Sequence, residues 1–176
     1  TQTYTIDSGS SYTVTVVASR TDTILFEFDC GTTYSLAVRP IATNGVKSQT
    51  YFKSRTYYGD FVYWRNTGGN LRVINYVNVE DYVKGVIPYE MSPSWPIEAQ
   101  KAGAITARTY VMANLNKHNS LGFDVCNTID CQVYRGTTGA TSTSDSAVDG
   151  TVGQYLVYQG SLCETYYYSS NGGATG

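Results

Sequence analysis

The hydrophobic period of the chain changes once, near residue 77, and that change limits the fold more than any other feature. Before it, apolar residues alternate or cluster in short β-branched and aromatic runs: Tyr12 to Ala18 around Val14 and Val16, Thr23 to Phe28, Tyr34 to Val38, Tyr51 to Tyr58, Phe61 to Arg65, and Leu71 to Tyr76. Turn signals divide these runs at Asp7-Ser8-Gly9, Cys30-Gly31, Asn44-Gly45, Gly59-Asp60 and Gly68-Gly69-Asn70, the last two placed for hairpins. After it, Val79, Tyr82, Val83 and Val86 fall at helical spacing, with Asn78 as N-cap and Glu80 and Asp81 in the first turn, where the helix dipole favours carboxylates. Pro88 predicts that this helix stops near Val86 or Ile87 and leaves Glu90 in a connector.

Pro96 and Glu98 mark the start of a second helix reaching about Asn116. Its Ile97, Ala99, Ala102, Ala104, Ile105, Ala107 and Val111 spread round more than one face, so it is expected to be buried on most sides. A loop with His118, Cys126 and Cys131 follows, then a Gly/Thr/Ser tract from Gly136 to Ser144 and a segment, Ser146 to Val152, compatible with a helix. Gln154 to Tyr158 and Ser161 to Tyr168, joined by Gln159-Gly160, read as a last hairpin. The expected class is α+β: mainly antiparallel β-sheets around one central Ala-rich helix, with a short helix before it. Residues 1–46 are expected to form an N-terminal β-rich segment or subdomain, and residues 47–176 the main domain.

Twelve Lys and Arg against fourteen Asp and Glu give a net charge of −2 with no basic cluster, which argues against a nucleic-acid partner. No apolar run reaches the roughly 18 residues needed for a membrane-spanning helix. A start at Thr1, without an initiator Met or a charged-then-apolar leader, fits a processed or truncated secreted chain better than a complete cytosolic one. The 17 tyrosines suit sheet surfaces or the stacking of sugar rings, and the sheet is the simpler reading.

Glu90 is the first candidate for chemistry, because a carboxyl between two packed helices is fixed yet reachable, and its neighbours Tyr89, Met91 and Trp95 give it apolar company. Lys101 and Arg108 share a helix face seven residues apart; they either form ion pairs that fix the helix or orient Glu90 or a sugar. Asp81 and Glu98 are read as structural, each in a first helical turn. The tail Ser169-Ser170-Asn171-Gly172-Gly173 offers hydroxyl and N–H groups that suit acetamido substituents, against the alternative of a frayed terminus. His118, Cys126 and Cys131 can converge on Zn²⁺ with a fourth position open, or Cys126 and Cys131 can form a disulfide beside a helix-terminating His118. Cys30 and Cys163 are a second disulfide or two buried thiols.

Several ordered blocks, Val77 to Met91, Ser94 to Ala102, Ala107-Arg108-Thr109-Tyr110, Cys131-Gln132-Val133-Tyr134-Arg135-Gly136 and Ser170-Asn171-Gly172-Gly173, resemble the stage II sporulation protein D family, whose domain also occurs in amidase-enhancer proteins. The resemblance runs from about Asn70 to the C-terminus and leaves the first 45 or so residues without a counterpart. It implies a secreted lytic transglycosylase that cleaves peptidoglycan between N-acetylmuramic acid and N-acetylglucosamine, preferring strands stripped of stem peptides and needing no cofactor. The family's catalytic glutamate falls on Glu90; Lys101, Arg108, Tyr134, Ser169, Ser170, Gly172 and Gly173 are the candidate substrate-binding residues that go with it. Some members of the family bind zinc near the His118, Cys126 and Cys131 positions, where it is expected to be structural. The location implied is extracytoplasmic, in the wall or anchored by a segment outside these residues. Glycan strands are the implied partners, with a peptidoglycan amidase as a further one. The alternatives are a non-catalytic glycan-binding or amidase-stimulating module, and a spore or surface structural protein.

Overall fold

The computed structural model describes residues 35–40, 42, 45–66 and 68–168. The chain divides into Thr1–Gly31 and Thr32–Gly176, and the described residues all belong to the second unit. The expected strands at Tyr12 to Ala18 and Thr23 to Phe28, Cys30, and the tail from Ser169 lie outside the described residues.

The elements run β1 (Ser35–Val38), β2 (Thr50–Phe52), β3 (Arg55–Tyr57), β4 (Asp60–Arg65), β5 (Leu71–Tyr76), α1 (Val79–Glu90), α2 (Ile97–Ala113), a single 3-10 turn (Asn119–Leu121), α3 (Ser142–Asp149), β6 (Val157–Tyr158) and β7 (Ser161–Leu162). The fold is the expected α+β, with an antiparallel sheet ordered β1-β4-β5 and two separate hairpins, β2-β3 and β6-β7. Val62 of β4 sits opposite Ala37 of β1 and Ile74 of β5, so residues 35–38 belong to the same sheet as the hairpin that follows them.

Two boundaries differ from the sequence expectation. Residues 51–58 do not pair with 61–65; they fold back on themselves, with Thr50 opposite Tyr57. The turn is made by Lys53 and Ser54 at φ 46° and 65°, a left-handed conformation that neither residue type signals. Tertiary hydrogen bonds hold this hairpin: the Thr56 N–H donates to Thr138 Oγ1 at 2.9 Å, and the Thr137 N–H donates to the Thr56 carbonyl at 2.8 Å.

The second difference is that α1 continues through Pro88 to Glu90, so Glu90 ends a helix and does not lie in a connector. Proline inside a helix costs about 3 kcal/mol. Burial of Val83, Val86 and Ile87 against the core outweighs that, at about 1.5–3 kcal/mol for each side chain. The Met91 N–H closes the last turn on the Ile87 carbonyl at 3.0 Å. At the other end Asn78 caps as expected, accepting from the Glu80 N–H at 2.9 Å.

Helix α2 is central, packing on both α1 and α3, which also touch each other. It ends at Ala113, where the Asn114 N–H bonds the Tyr110 carbonyl. The core joins Tyr82, Val83, Val86 and Ile87 of α1 to Ala104, Ala107 and Val111 of α2, Val148 of α3, and Tyr134 from the loop between α2 and α3.

Tyr134 stacks on Tyr82 with ring centroids 4.8 Å apart, and this packing needs a glycine at position 85. A methyl group there would run into the Tyr134 ring and come within 3.3 Å of the Gly136 Cα. Alanine normally favours a helix over glycine by about 1 kcal/mol. Overpacking reverses the sign, so Gly85→Ala is expected to destabilise by about 1–3 kcal/mol, read as a fall in the urea midpoint.

Candidate functional site

Glu90 is half-buried, and its Oε1 accepts the Val133 N–H at 2.8 Å. Residues 131–136 have no regular secondary structure but alternate in exposure: Gln132 and Tyr134 are buried at 1% and 7% relative exposure, while Arg135 is exposed. Gln132 forms the inner wall of the site. Its amide donates to the Ala107 carbonyl at 3.2 Å and the Tyr167 hydroxyl at 3.1 Å, and it accepts from the Tyr82 hydroxyl at 3.0 Å. Burial raises the pKa of Tyr167, and the nearby charge of Glu90 adds to this, while the bond to Gln132 works the other way. Tyr167 is therefore a neutral hydroxyl in the field of Glu90.

The connector after Glu90 is fixed from α2. Gln100 is buried and donates to the Trp95 carbonyl at 2.9 Å. The Met91 side chain fills the space where a Cβ on Gly103 would otherwise be. Trp95, later in the same connector, is left 49% exposed.

Other expected site residues are placed elsewhere. Arg108 is fully buried, at 0% exposure, and its guanidinium is spread over Glu80: Nε lies 3.0 and 3.1 Å from the two carboxylate oxygens and Nη2 lies 2.6 Å from Oε2. A guanidinium enclosed in this way does not touch a glycan, so the ion-pair reading of Arg108 replaces the substrate-binding one. Lys101 pairs with Glu98 at 2.8 Å on an exposed face. The Tyr134 hydroxyl is taken by Asn75 Oδ1 at 2.6 Å, and its ring is in the core, which also removes it from the substrate surface. Asp81 is structural, held by Lys47 at 2.6 Å. Ser169, Ser170, Gly172 and Gly173 lie outside the described residues.

His118, Cys126 and Cys131 do converge, and Asp130 joins them, all four ligand atoms lying within 4.8 Å of one another. His118 Nε2 is 3.3 Å from Cys131 Sγ and 3.2 Å from Asp130 Oδ2, and Asp130 Oδ2 is 3.8 Å from Cys126 Sγ. Ligands about 2.0–2.3 Å from a tetrahedral Zn²⁺ stand at comparable mutual distances, so the donor set fits that ion. Cys126 and Cys131 are free thiols. Burial acts to raise the Cys126 thiol pKa, but hydrogen bonds from Thr128 outweigh it and leave the pKa lowered; burial raises that of Cys131. Sequence reasoning passed over Asp130, although a carboxylate beside a cysteine was a usable signal.

A cavity of about 630 Å³ opens on the other side of Tyr82 and Tyr134, between β4, β5 and the loop at 119–127. It is lined by side chains such as Phe52, Phe61, Ile74 and Val111 and does not include Glu90. This space is mostly apolar.

Fold and site together define a small α+β domain that presents one positioned carboxyl at the end of a core helix. Comparison with known proteins specifies the class further. The Stage II sporulation protein family, SpoIID, matches residues 67–158, more than half of this chain, and the chain belongs to that family. An uncharacterized protein of Brachyspira hyodysenteriae is 46% identical over 122 residues, covering 68% of this chain and 32% of its own length. The amidase enhancer of Bacillus subtilis is 44% identical over 93 residues, 53% of this chain and 12% of its own. The chain thus spans about a third of the first relative and about an eighth of the second.

Proposed function

We propose that this chain acts on the bacterial cell wall as a lytic transglycosylase, cleaving peptidoglycan glycan strands with Glu90 as both acid and base. The observation that carries the reading is Glu90 itself: half-buried, ending a core helix, with Oε1 engaged by the Val133 N–H. Among the described residues, no hydrogen bond joins it to another carboxylate.

The reaction suits one carboxyl. Protonated Glu90 gives its proton to the oxygen linking N-acetylmuramic acid to N-acetylglucosamine, and the bond from that oxygen to the muramic C1 breaks. The carboxylate left behind takes the proton of the muramic 6-hydroxyl as its oxygen bonds C1, closing a 1,6-anhydro ring. Glu90 ends protonated, no water is consumed, and no second carboxylate is required, unlike in the two-carboxylate glycosidases. Incubation with peptide-free strands is expected to yield anhydro-ended fragments by mass spectrometry; unchanged strands would refute the enzyme reading.

The relative named amidase enhancer favours a second reading, in which the domain holds glycan or stimulates a peptidoglycan amidase. That reading expects binding with no new sugar ends. Both place the chain outside the cytoplasm, in the wall or tethered by a segment beyond these residues.

We assign the His118, Cys126, Asp130 and Cys131 cluster to a structural Zn²⁺. When bound, the ion supplies cross-linking and no acid–base step. Cys131 is two residues from Val133, so fixing it steadies the N–H that holds Glu90. Cys131→Ser is expected to lose about one zinc per chain by elemental analysis and to lower the melting midpoint by roughly 10 °C. Full zinc content in that variant would rule out the assignment.

A further inference from the structure

Cys126 and Cys131 are free thiols whose sulfurs lie within 4.8 Å of each other. The turn between them, Asn127-Thr128-Ile129-Asp130, brings them together: the Cys131 N–H donates to the Thr128 carbonyl at 3.0 Å, and the Asp130 N–H to Thr128 Oγ1 at 3.4 Å. Cys131 Sγ is thereby seated over the backbone of its partner, accepting the Cys126 N–H at 3.4 Å. We infer that this pair is a thiol–disulfide exchange site, at which a small-molecule disulfide closes Cys126 to Cys131 and displaces the zinc ion. The inference rests on the assignment of the cluster to Zn²⁺.

The site is reachable and the bond is short of only a side-chain movement. Ile129, in the turn, is 93% exposed, and Asp130 beside it is exposed too, so a small reagent meets the turn from solvent. A disulfide is about 2.05 Å long, and rotation about the Cα–Cβ bonds of the two cysteines can bring their sulfurs that close. One thiolate attacks a sulfur of the reagent R–S–S–R, forming a mixed disulfide and expelling RS⁻. The second thiolate attacks the cysteine sulfur of that mixed disulfide and expels the other RS⁻. The pair gives up two electrons, the reagent takes them as its sulfur–sulfur bond breaks, and the charge balances at two thiolates on each side. Only His118 and Asp130 then remain as donors, too few to hold the ion.

The two states tie the chain differently. Metal ligation joins His118, beyond the end of α2, to the turn at 126–131, whereas the disulfide closes that turn on itself and leaves His118 out. Cys131 is two residues before Val133, whose N–H holds Glu90, so the exchange changes what anchors the segment that seats the acid.

The test reads mass and metal and needs no catalysis. Trypsin cuts after Lys117 and Arg135, so residues 118–135 leave as one peptide with Cys126 and Cys131 and no other cysteine. The full chain, freed of metal, is incubated with glutathione disulfide, its remaining thiols are alkylated, and it is digested. Wild type is expected to yield that peptide unalkylated and lighter by two hydrogens, and Cys126→Ser or Cys131→Ser the same peptide carrying one glutathione. Zinc-loaded wild type is expected to release about one zinc per chain to a chromophoric chelator as the lighter peptide accumulates. Native mass spectra should show chains with zinc or with the disulfide, never with both. A wild-type peptide that stays reduced, or carries glutathione without closing, overturns the exchange site and leaves the zinc assignment standing. Disulfide-bonded chains that keep zinc overturn the displacement, and a pair that closes in protein unable to take up zinc overturns the zinc assignment with it.

Discussion

Glu90→Gln is expected to lower the release of anhydro-ended fragments by about 10²- to 10⁴-fold, the range that a positioned acid–base group supplies, while the strands still bind. The amide is nearly isosteric, and its carbonyl oxygen can still accept the Val133 N–H that holds Glu90 at 2.8 Å, so the helix end and segment 131–136 keep their places. What is lost is the transferable proton. Wild type and variant are compared on denuded strands by mass spectrometry, with strand retention measured in parallel. Undiminished anhydro product from the variant would move the chemistry away from position 90, and reducing ends in place of anhydro ends would make the enzyme a hydrolase.

The largest effect on stability is expected at Arg108. Its guanidinium joins three parts of the domain: Glu80 at the start of α1, the Val148 carbonyl of α3 at 3.4 Å, and the Gln154 carbonyl at 3.3 Å. Glu80 Oε1 also accepts the Gly153 N–H at 3.2 Å. Arg108→Met fills a similar volume but leaves the Glu80 carboxylate, with a side chain 20% exposed, without its guanidinium partner. Breaking a buried pair by removing one partner costs about 3–5 kcal/mol. Urea titration should show that loss, and the double variant Arg108→Met with Glu80→Leu should recover part of it. A loss under about 1 kcal/mol would mean that the pair is better hydrated than its geometry implies.

What the sequence made legible was mostly local. The Asn78 cap and the spacing of Val79, Tyr82, Val83 and Val86 placed the start of α1, because both act within one or two helical turns. The hairpin at Gly68-Gly69 was legible for the same reason, and β4 and β5 pair across it. The far end of α1 was not legible, since the burial that carries it past Pro88 comes from α2 and α3, which are distant in sequence. The turn at Lys53 and Ser54 escaped because no glycine or asparagine announced it.

In the site the division is similar. Glu90 and the His118, Cys126 and Cys131 set stood out by residue type and spacing. The Val133 N–H did not, because every residue except proline carries the same backbone donor. Tyr167 was one of 17 tyrosines, with nothing local to distinguish it. Arg108 offered two roles on one helix face, and only the position of Glu80, 28 residues earlier, chooses between them.

The hexapeptide Cys131 to Gly136 meets a different neighbour at each step. Odd positions face outward to the metal-ligand cluster, Glu90 and Tyr89; even positions face inward to the Tyr82–Tyr167 network, the aromatic core and the Thr56 backbone. Deleting one residue would exchange the two faces for every position on one side of the gap. During divergence such a stretch can change side chains but not length, so insertions in relatives should gather on either side of it and spare its interior.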